Sequence, residues 1–299
     1  MNRPLPHPRI SACLLIAAAL LLGACSSPPR ETTPQTAAGG EAWRADVAAI
    51  STHGDSPGRR AALERLLSGA GLEGQAIRFS HQARQGTNLI APVSGAAGRP
   101  LLLLGAHYDQ VDAGNGVTDN AGGCAVALEL ARRFRQHPLR NHRVSVAFWD
   151  LEEKGLLGAT AYVEGEGEKP ALYVNFDVFA WGDTLWMMTP DAAHPLVAAS
   201  RSAAQSRGIG LSAGEQYPPT DHLAFLRAGW PAVSYSLVGS GEIEAILRMF
   251  SGQQVANPPK VMKVIHTADD TLQQVEPAQA AAGIDAVEAA LRAWDAGAG

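Results

Sequence analysis

Four apolar runs in this chain each stop at a carboxylate or an imidazole. Leu101–Leu104 leads to His107 and Asp109, and Val144–Trp149 leads to Asp150, Glu152 and Glu153. Leu172–Val174 leads to Asp177, and Val261–Ile265 leads to His266. An uninterrupted apolar run of this length reads as a strand buried on both faces. In open α/β sheets the ligand site lies off the carboxyl ends of the strands. Acids and histidines gathered there have the composition of a hydrolytic metal site.

The spacing between the runs fits such a sheet. Helical periodicity predicts helices over Glu41–Ser51, Pro57–Ala70, Asn120–Arg135, Leu156–Glu164, His194–Ser206 and Ala278–Trp294. Strands are predicted over Gln75–Ser80, Thr87–Val93 and Pro231–Ser236 in addition to the four runs. Alternation of this kind predicts an α/β fold of three layers, with a mixed, mostly parallel central sheet flanked by helices. With 299 residues, 46% of them apolar and 18% charged, the chain can bury a large core without crosslinks. The net charge of −5 and the lack of a basic patch argue against a nucleic-acid partner.

The N-terminus reads as a targeting segment. Arg3 and Arg9 precede an apolar run, Ala12–Leu22, that is too short to span a bilayer stably. The run ends Leu22-Gly23-Ala24-Cys25, which resembles the lipobox of bacterial lipoproteins. That resemblance implies cleavage after residue 24, lipidation of Cys25 and a membrane anchor. With Ser26 next, it implies the outer membrane of a bacterial envelope, with the domain facing the periplasm. Residues 25–40 are rich in Ser, Pro, Thr and Gly and read as a flexible tether, leaving a catalytic domain over 41–296. Cys13 lies in the leader, so Cys124 has no partner for an intrachain disulfide and reads as a small core residue.

Three stretches carry the chemistry. In Gly105-Ala106-His107-Tyr108-Asp109, a carboxylate two residues from an imidazole suits a metal ligand, His107, and its orienter, Asp109. In Val117-Thr118-Asp119-Asn120-Ala121-Gly122-Gly123, Asp119 meets the start of a helix. There it can cap the helix or bridge two ions. In Asp150-Leu151-Glu152-Glu153-Lys154-Gly155, adjacent glutamates can share one site if the chain turns. One then holds metal while the other acts as a base. His266 reads as a further ligand, and Asn175-Phe176-Asp177 and Thr220-Asp221-His222 as accompanying pieces. His53, His81, His137, His142 and His194 sit in polar contexts and read as surface. The chain has no Gly-x-Ser-x-Gly elbow, no His-Glu-x-x-His helix and no phosphate loop.

Taken in order, GAHYD, TDNAGG, EEKGLLGA, NFD, TDH-x-x-F-x-x-x-G-x-P and IHTADDT resemble the M28 family of zinc peptidases. The resemblance implies two zinc ions. His107 and Asp177 would hold one, Glu153 and His266 the other, and Asp119 would bridge them. It implies Glu152 as the general base, Asp109 as the orienter of His107, and a less defined place near the pocket for Asp221. The implied activity is that of an aminopeptidase acting on peptide substrates. A water shared by the two ions, its pKa lowered from 15.7 to about 7, would be deprotonated by Glu152 and attack the peptide carbonyl. Many secreted members carry Tyr immediately before the last ligand, whereas this chain has Ile265. Two alternatives accompany this reading. One is a glutaminyl cyclase of the same fold with a single zinc on Asp119, Glu153 and His266; the other is a non-catalytic lipoprotein used as a binding module. Neither the oligomeric state nor the preferred N-terminal residue follows from the sequence.

Overall fold

The structure, a computed structural model, describes Met1 and residues 34–298 except Glu166. These residues from 34 onward belong to one unit. The expected leader, Cys25 and the first part of the expected tether lie outside the described residues.

Helices α1 (Pro34–Ser51) and α2 (Ser56–Gly69) precede a hairpin of β1 (Gln75–His81) and β2 (Arg84–Ser94). Then come β3 (Leu101–His107), α3 (Gly122–Gln136), β4 (Arg143–Trp149), α4 (Leu157–Glu164), β5 (Leu172–Phe179) and β6 (Thr184–Met188). The chain continues through α5 (Pro195–Ser206), β7 (Gly210–Gly214), α6 (His222–Arg227) and β8 (Ala232–Val238). It closes with α7 (Ile243–Phe250), α8 (Lys260–Val264) and α9 (Pro277–Ala296). One eight-stranded sheet runs in the order β1-β2-β4-β3-β5-β8-β6-β7. β3 pairs in parallel with both β4 and β5, β5 with β8, and β6 with β7; the other neighbours are antiparallel. The expected three-layer, mixed and mostly parallel sheet is therefore present.

The four-leucine run explains why the sheet is covered on both sides. Side chains alternate along a strand. Leu102 and Leu104 enter the larger core with α1, α3 and α9, whereas Leu101 and Leu103 enter a second core with Trp149, Tyr173 and Phe225. All four leucines are buried. On the larger side α3 is fastened to its neighbours by charge. Arg132 pairs with Asp46 of α1, and Arg133 reaches Asp285 at 2.7 Å and Glu288 at 2.9 Å on α9.

Three expectations need correction. Val261–Ile265 is not a strand: Lys260–Val264 is helical. Its buried residues, Val261 and Val264, are three apart, which is helical spacing, and Pro259 precedes the first turn. Pro34–Gly40 belong to α1 rather than to a tether. The helix is extended because it docks: a Cβ on Gly40 would lie 2.5 Å from the carbonyl oxygen of Pro277, and Trp43, Val47 and Ile50 are fully buried behind it. His142 is not a surface residue. It is buried, its Nδ1 lies 2.8 Å from Asp295 Oδ1, and its ring stacks on Trp294 at 4.3 Å.

Candidate metal centre

The carboxyl ends of β3, β4 and β5 are adjacent in the sheet, and each delivers part of one site. β3 ends on His107, which is buried. β5 carries Asp177 beside a break in its pairing with β8 between Phe176 and Phe179. There Val178 takes a φ of 54°, a conformation β-branched residues rarely adopt. Beyond β4 the chain turns at Leu151, with a φ of 60°, and Gly155 N–H donates to Glu152 O at 2.8 Å. The turn required for two adjacent glutamates to serve one site is therefore formed.

Asp119 lies between β3 and α3 in a turn over Val117–Ala121 whose φ and ψ are not helical at Asp119 and Asn120. It does not cap α3, whose N-terminal residue makes no side-chain cap. The predicted helix start is thus two residues too early, and the Asp119 carboxylate is not spent on a cap. Its backbone is held elsewhere: Asp270 accepts the N–H of Thr118 at 2.7 Å and of Asp119 at 3.3 Å. Asn120 accepts from Gly123 N–H and donates to Phe176 O, tying the turn to β5. Gly123 is required for that approach, since a Cβ would lie 2.4 Å from Phe176 O.

The side chains converge in two sets that share one carboxylate. His107 Nε2 lies 3.1 Å from Asp119 Oδ1 and 3.6 Å from Asp177 Oδ1. His266 Nε2 lies 3.0 Å from Asp119 Oδ2 and 3.3 Å from Glu153 Oε2. In each set one donor atom from every residue lies within 4.8 Å of the others, the spacing of a metal's ligands. The two oxygens of Asp119 thus face different imidazoles. Buried atoms of the sets lack hydrogen-bond partners: His107 Nε2, Asp177 Oδ1 and Glu153 Oε1. Leaving such atoms unpaired is costly, and a bound cation would satisfy them. Mixed nitrogen and oxygen donors suit zinc. The five expected ligands are therefore brought together, and Glu152 and Asp221 belong to neither set.

Asp109 does more than orient an imidazole. One of its oxygens lies 3.4 Å from His107 Nδ1, without the alignment of a hydrogen bond. The carboxylate also accepts the backbone N–H of Glu152 at 3.0 Å and of Glu153 at 3.1 Å.

Electrostatics follows from burial and crowding. Burial opposes charge on His107, but Glu152, Asp109, Asp119 and Asp177 outweigh it and raise its pKa well above the usual value. His266 is raised to about 10 by hydrogen bonding to Asp119 and Glu153. Burial favours the protonated form of Asp119, yet the two imidazoles hold its pKa below the usual carboxylate range. Glu152 is pushed well up, chiefly by burial, with Asp221, Asp177 and Asp119 adding to the effect against His107. Asp221 is fully buried, both its oxygens lack partners, and burial raises its pKa.

An open cleft reaches both sets. Asp119, Glu152, Glu153, Asp177 and His266 line its floor. Trp186, Val238, Ile246, Phe250, Met262 and Ile265 make its walls. Tyr217 also lines it, its hydroxyl paired with that of Ser236, which donates to Asp177 O at 2.5 Å. The sequence reading assigned no role to Tyr217, Ser236 or Asp270. Asp270 was visible in IHTADDT, but only the fold reveals that it serves the backbone of Asp119.

Comparison with known proteins gives the family and the fold. The model of peptidase family M28 matches residues 88–291. Leucine aminopeptidase 2 of Trichophyton equinum is 30% identical over 188 residues, covering 59% of this chain and 36% of that protein. The chain therefore spans about a third of the length of such curated relatives. Among solved structures, BSAP, a zinc aminopeptidase from Bacillus subtilis, aligns with a TM-score of 0.56 at 24% identity, over 70% of this chain and 50% of that one. Porphyromonas gingivalis glutaminyl cyclase aligns with a TM-score of 0.66 at 19% identity, over 87% of this chain and 98% of that one.

Proposed function

The chain belongs to peptidase family M28, and from that premise we propose that it is a two-zinc aminopeptidase with Glu152 as its general base. The observation that carries the reading is the shared carboxylate: Asp119 presents one oxygen to His107 and the other to His266. His107 and Asp177 would hold one ion, Glu153 and His266 the second, and Asp119 both. Zinc held there would supply Lewis-acid chemistry, lowering the pKa of water toward neutrality and polarising the scissile carbonyl.

The protein's own groups supply the rest. Glu152 lines the cleft without belonging to a ligand set, so its carboxylate is free to take a proton from water. The same carboxyl, once protonated, can return that proton to the departing amine. Asp109 fixes the backbone of both glutamates and faces His107, so base and ligands move as one unit. The cleft walls accommodate an apolar side chain, which accords with the leucine named for the Trichophyton relative. Ile265 offers no hydroxyl to the carbonyl oxygen, and Tyr217 is the phenol lining the cleft.

The likeness to a glutaminyl cyclase favours a second reading, with one zinc on Asp119, Glu153 and His266. Against it, the His107 and Asp177 pair is also complete. We further propose that Cys25 carries lipid and anchors the domain that begins with α1 to the bacterial outer membrane, on the lipobox pattern Leu22-Gly23-Ala24-Cys25.

Metal analysis and turnover of wild type beside Glu152→Gln test the reading. Two zinc ions in both proteins, with turnover of leucyl-anilide lowered about 10²- to 10⁴-fold in the variant, are expected. Normal turnover by the variant removes Glu152 from the mechanism. One zinc per chain with cyclisation of N-terminal glutaminyl peptides selects the cyclase, and a protein without either turnover is a binding module.

A further inference from the structure

Arg59 is fully buried, and every acceptor it reaches is neutral. It projects from the first turn of α2, a turn fixed by Asp55, whose side chain accepts Gly58 N–H at 2.7 Å and whose carbonyl accepts Arg59 N–H at 3.0 Å. Its guanidinium donates to Gln110 Oε1, to Asn115 O at 3.2 Å and to Gly116 O at 2.9 Å. All three acceptors lie on the loop that runs from Asp109 to Asp119. Gly116 O also accepts Ala121 N–H at 3.0 Å, closing the turn that contains Asp119. Asn115 N–H donates to the carbonyl of Asp270, whose carboxylate holds the N–H of Asp119.

A buried cation with neutral partners is expensive unless charge nearby compensates it. Burial lowers the Arg59 pKa below its ordinary value, and nearby Cys124, Asp109, Asp119 and Asp270 offset that cost in part. α2 lies before residue 88 and so outside the segment matched to the family.

We propose that Arg59 is a positioning residue for the metal centre: by gripping Gln110, Asn115 and Gly116 it fixes the turn that aims the two oxygens of Asp119. The inference rests on the reading of Asp119 as the shared ligand. A guanidinium suits this task because its donors lie in one plane in a rigid fork, whereas the single ammonium of Lys cannot serve three separated acceptors with the same geometry. Gly116 completes the grip. Its φ is +52°, and a Cβ there would lie 2.6 Å from Arg59 Nη1.

The test compares zinc affinity, by competition with a chromophoric chelator, and the visible spectrum of the cobalt(II) form. Wild type, Arg59→Met, Arg59→Lys and Gly116→Ala are measured in the full chain. Asp46→Asn serves as a control, because it weakens the Arg132 pair and neither residue belongs to a ligand set. Arg59→Met and Gly116→Ala are expected to bind zinc at least about ten-fold more weakly and to alter the cobalt spectrum. Arg59→Lys should restore only part of the affinity, and Asp46→Asn should match wild type.

Wild-type affinity and spectrum in folded Arg59→Met overturn the proposal, as does an equal loss in Asp46→Asn. If Arg59→Met does not fold, Arg59→Lys and Gly116→Ala decide, and wild-type zinc binding by both overturns it. One ion per wild-type chain would sink the two-zinc reading alone. Asp119 belongs to both sets, so the effect of Arg59 would still be read on that ion.

Discussion

Asp109 Oδ1 accepts the backbone N–H of Glu152 at 3.0 Å, so the residue facing a ligand imidazole also fixes the proposed base. Asp109→Asn would turn an acceptor into a donor facing either a backbone N–H or His107. The expected outcome is a 10- to 100-fold loss in zinc affinity or turnover, the usual effect of altering a group behind a metal ligand. Zinc titration and kcat/KM measured on the same preparation check it, and wild-type values for both would refute it.

Zinc uptake should release protons. Without metal, the pKa of His266 is raised to about 10 and that of His107 also lies well above the usual value, so near neutrality both rings carry a proton that zinc must displace. Apparent zinc affinity is therefore expected to rise with pH between 6 and 8. Calorimetry in buffers of different ionisation enthalpy counts the protons, and uptake without release would contradict the assignment.

The cleft gives a prediction about substrate choice. Ile246 is buried in the wall and comes from α7, which supplies none of the proposed ligands. Ile246→Trp should fill the space beside the metal sets and lower kcat/KM for leucyl-anilide relative to alanyl-anilide. Contacts worth one methylene change such ratios by about 10- to 200-fold. An unchanged ratio would place the substrate side chain elsewhere.

Much of this site was legible in the sequence because its ligands sit at the ends of the most strongly patterned segments. β3, β4 and β5 are apolar on both faces, so where each run stops, a residue such as His107 or Asp177 stands out. The cleft walls were not legible for the same reason. β6 and β7 are five residues long, too short to show a period, and were missed. α8 was read as a strand because five residues of Val, Met, Lys and Ile fit either period. Arg59, Asp270 and Asp295 act on backbone groups 56 to 155 residues away, and no local pattern marks a side chain whose partners are peptide groups of a distant loop.

Asp295 allows a prediction independent of the metal. It is buried at the end of α9, where it accepts the N–H of Arg140 at 2.7 Å and of Asn141 and His142 at 3.0 Å, besides His142 Nδ1 at 2.8 Å. These bonds join the C-terminal helix to the segment entering β4. Asp295→Ala would leave buried donors without an acceptor and is expected to cost about 3–5 kcal/mol in chemical denaturation. The hydrogen bonds hold the Asp295 pKa below its ordinary value against burial, so the unfolded chain binds its proton more readily than the native one. The stabilisation is thus fully present above the unfolded carboxylate range and is lost as pH falls below it toward the native pKa. Wild type should therefore lose more stability than Asp295→Asn on acidification through that range. Parallel pH profiles for the two proteins, measured by urea denaturation with metal removed, would show that Asp295 is not the group responsible.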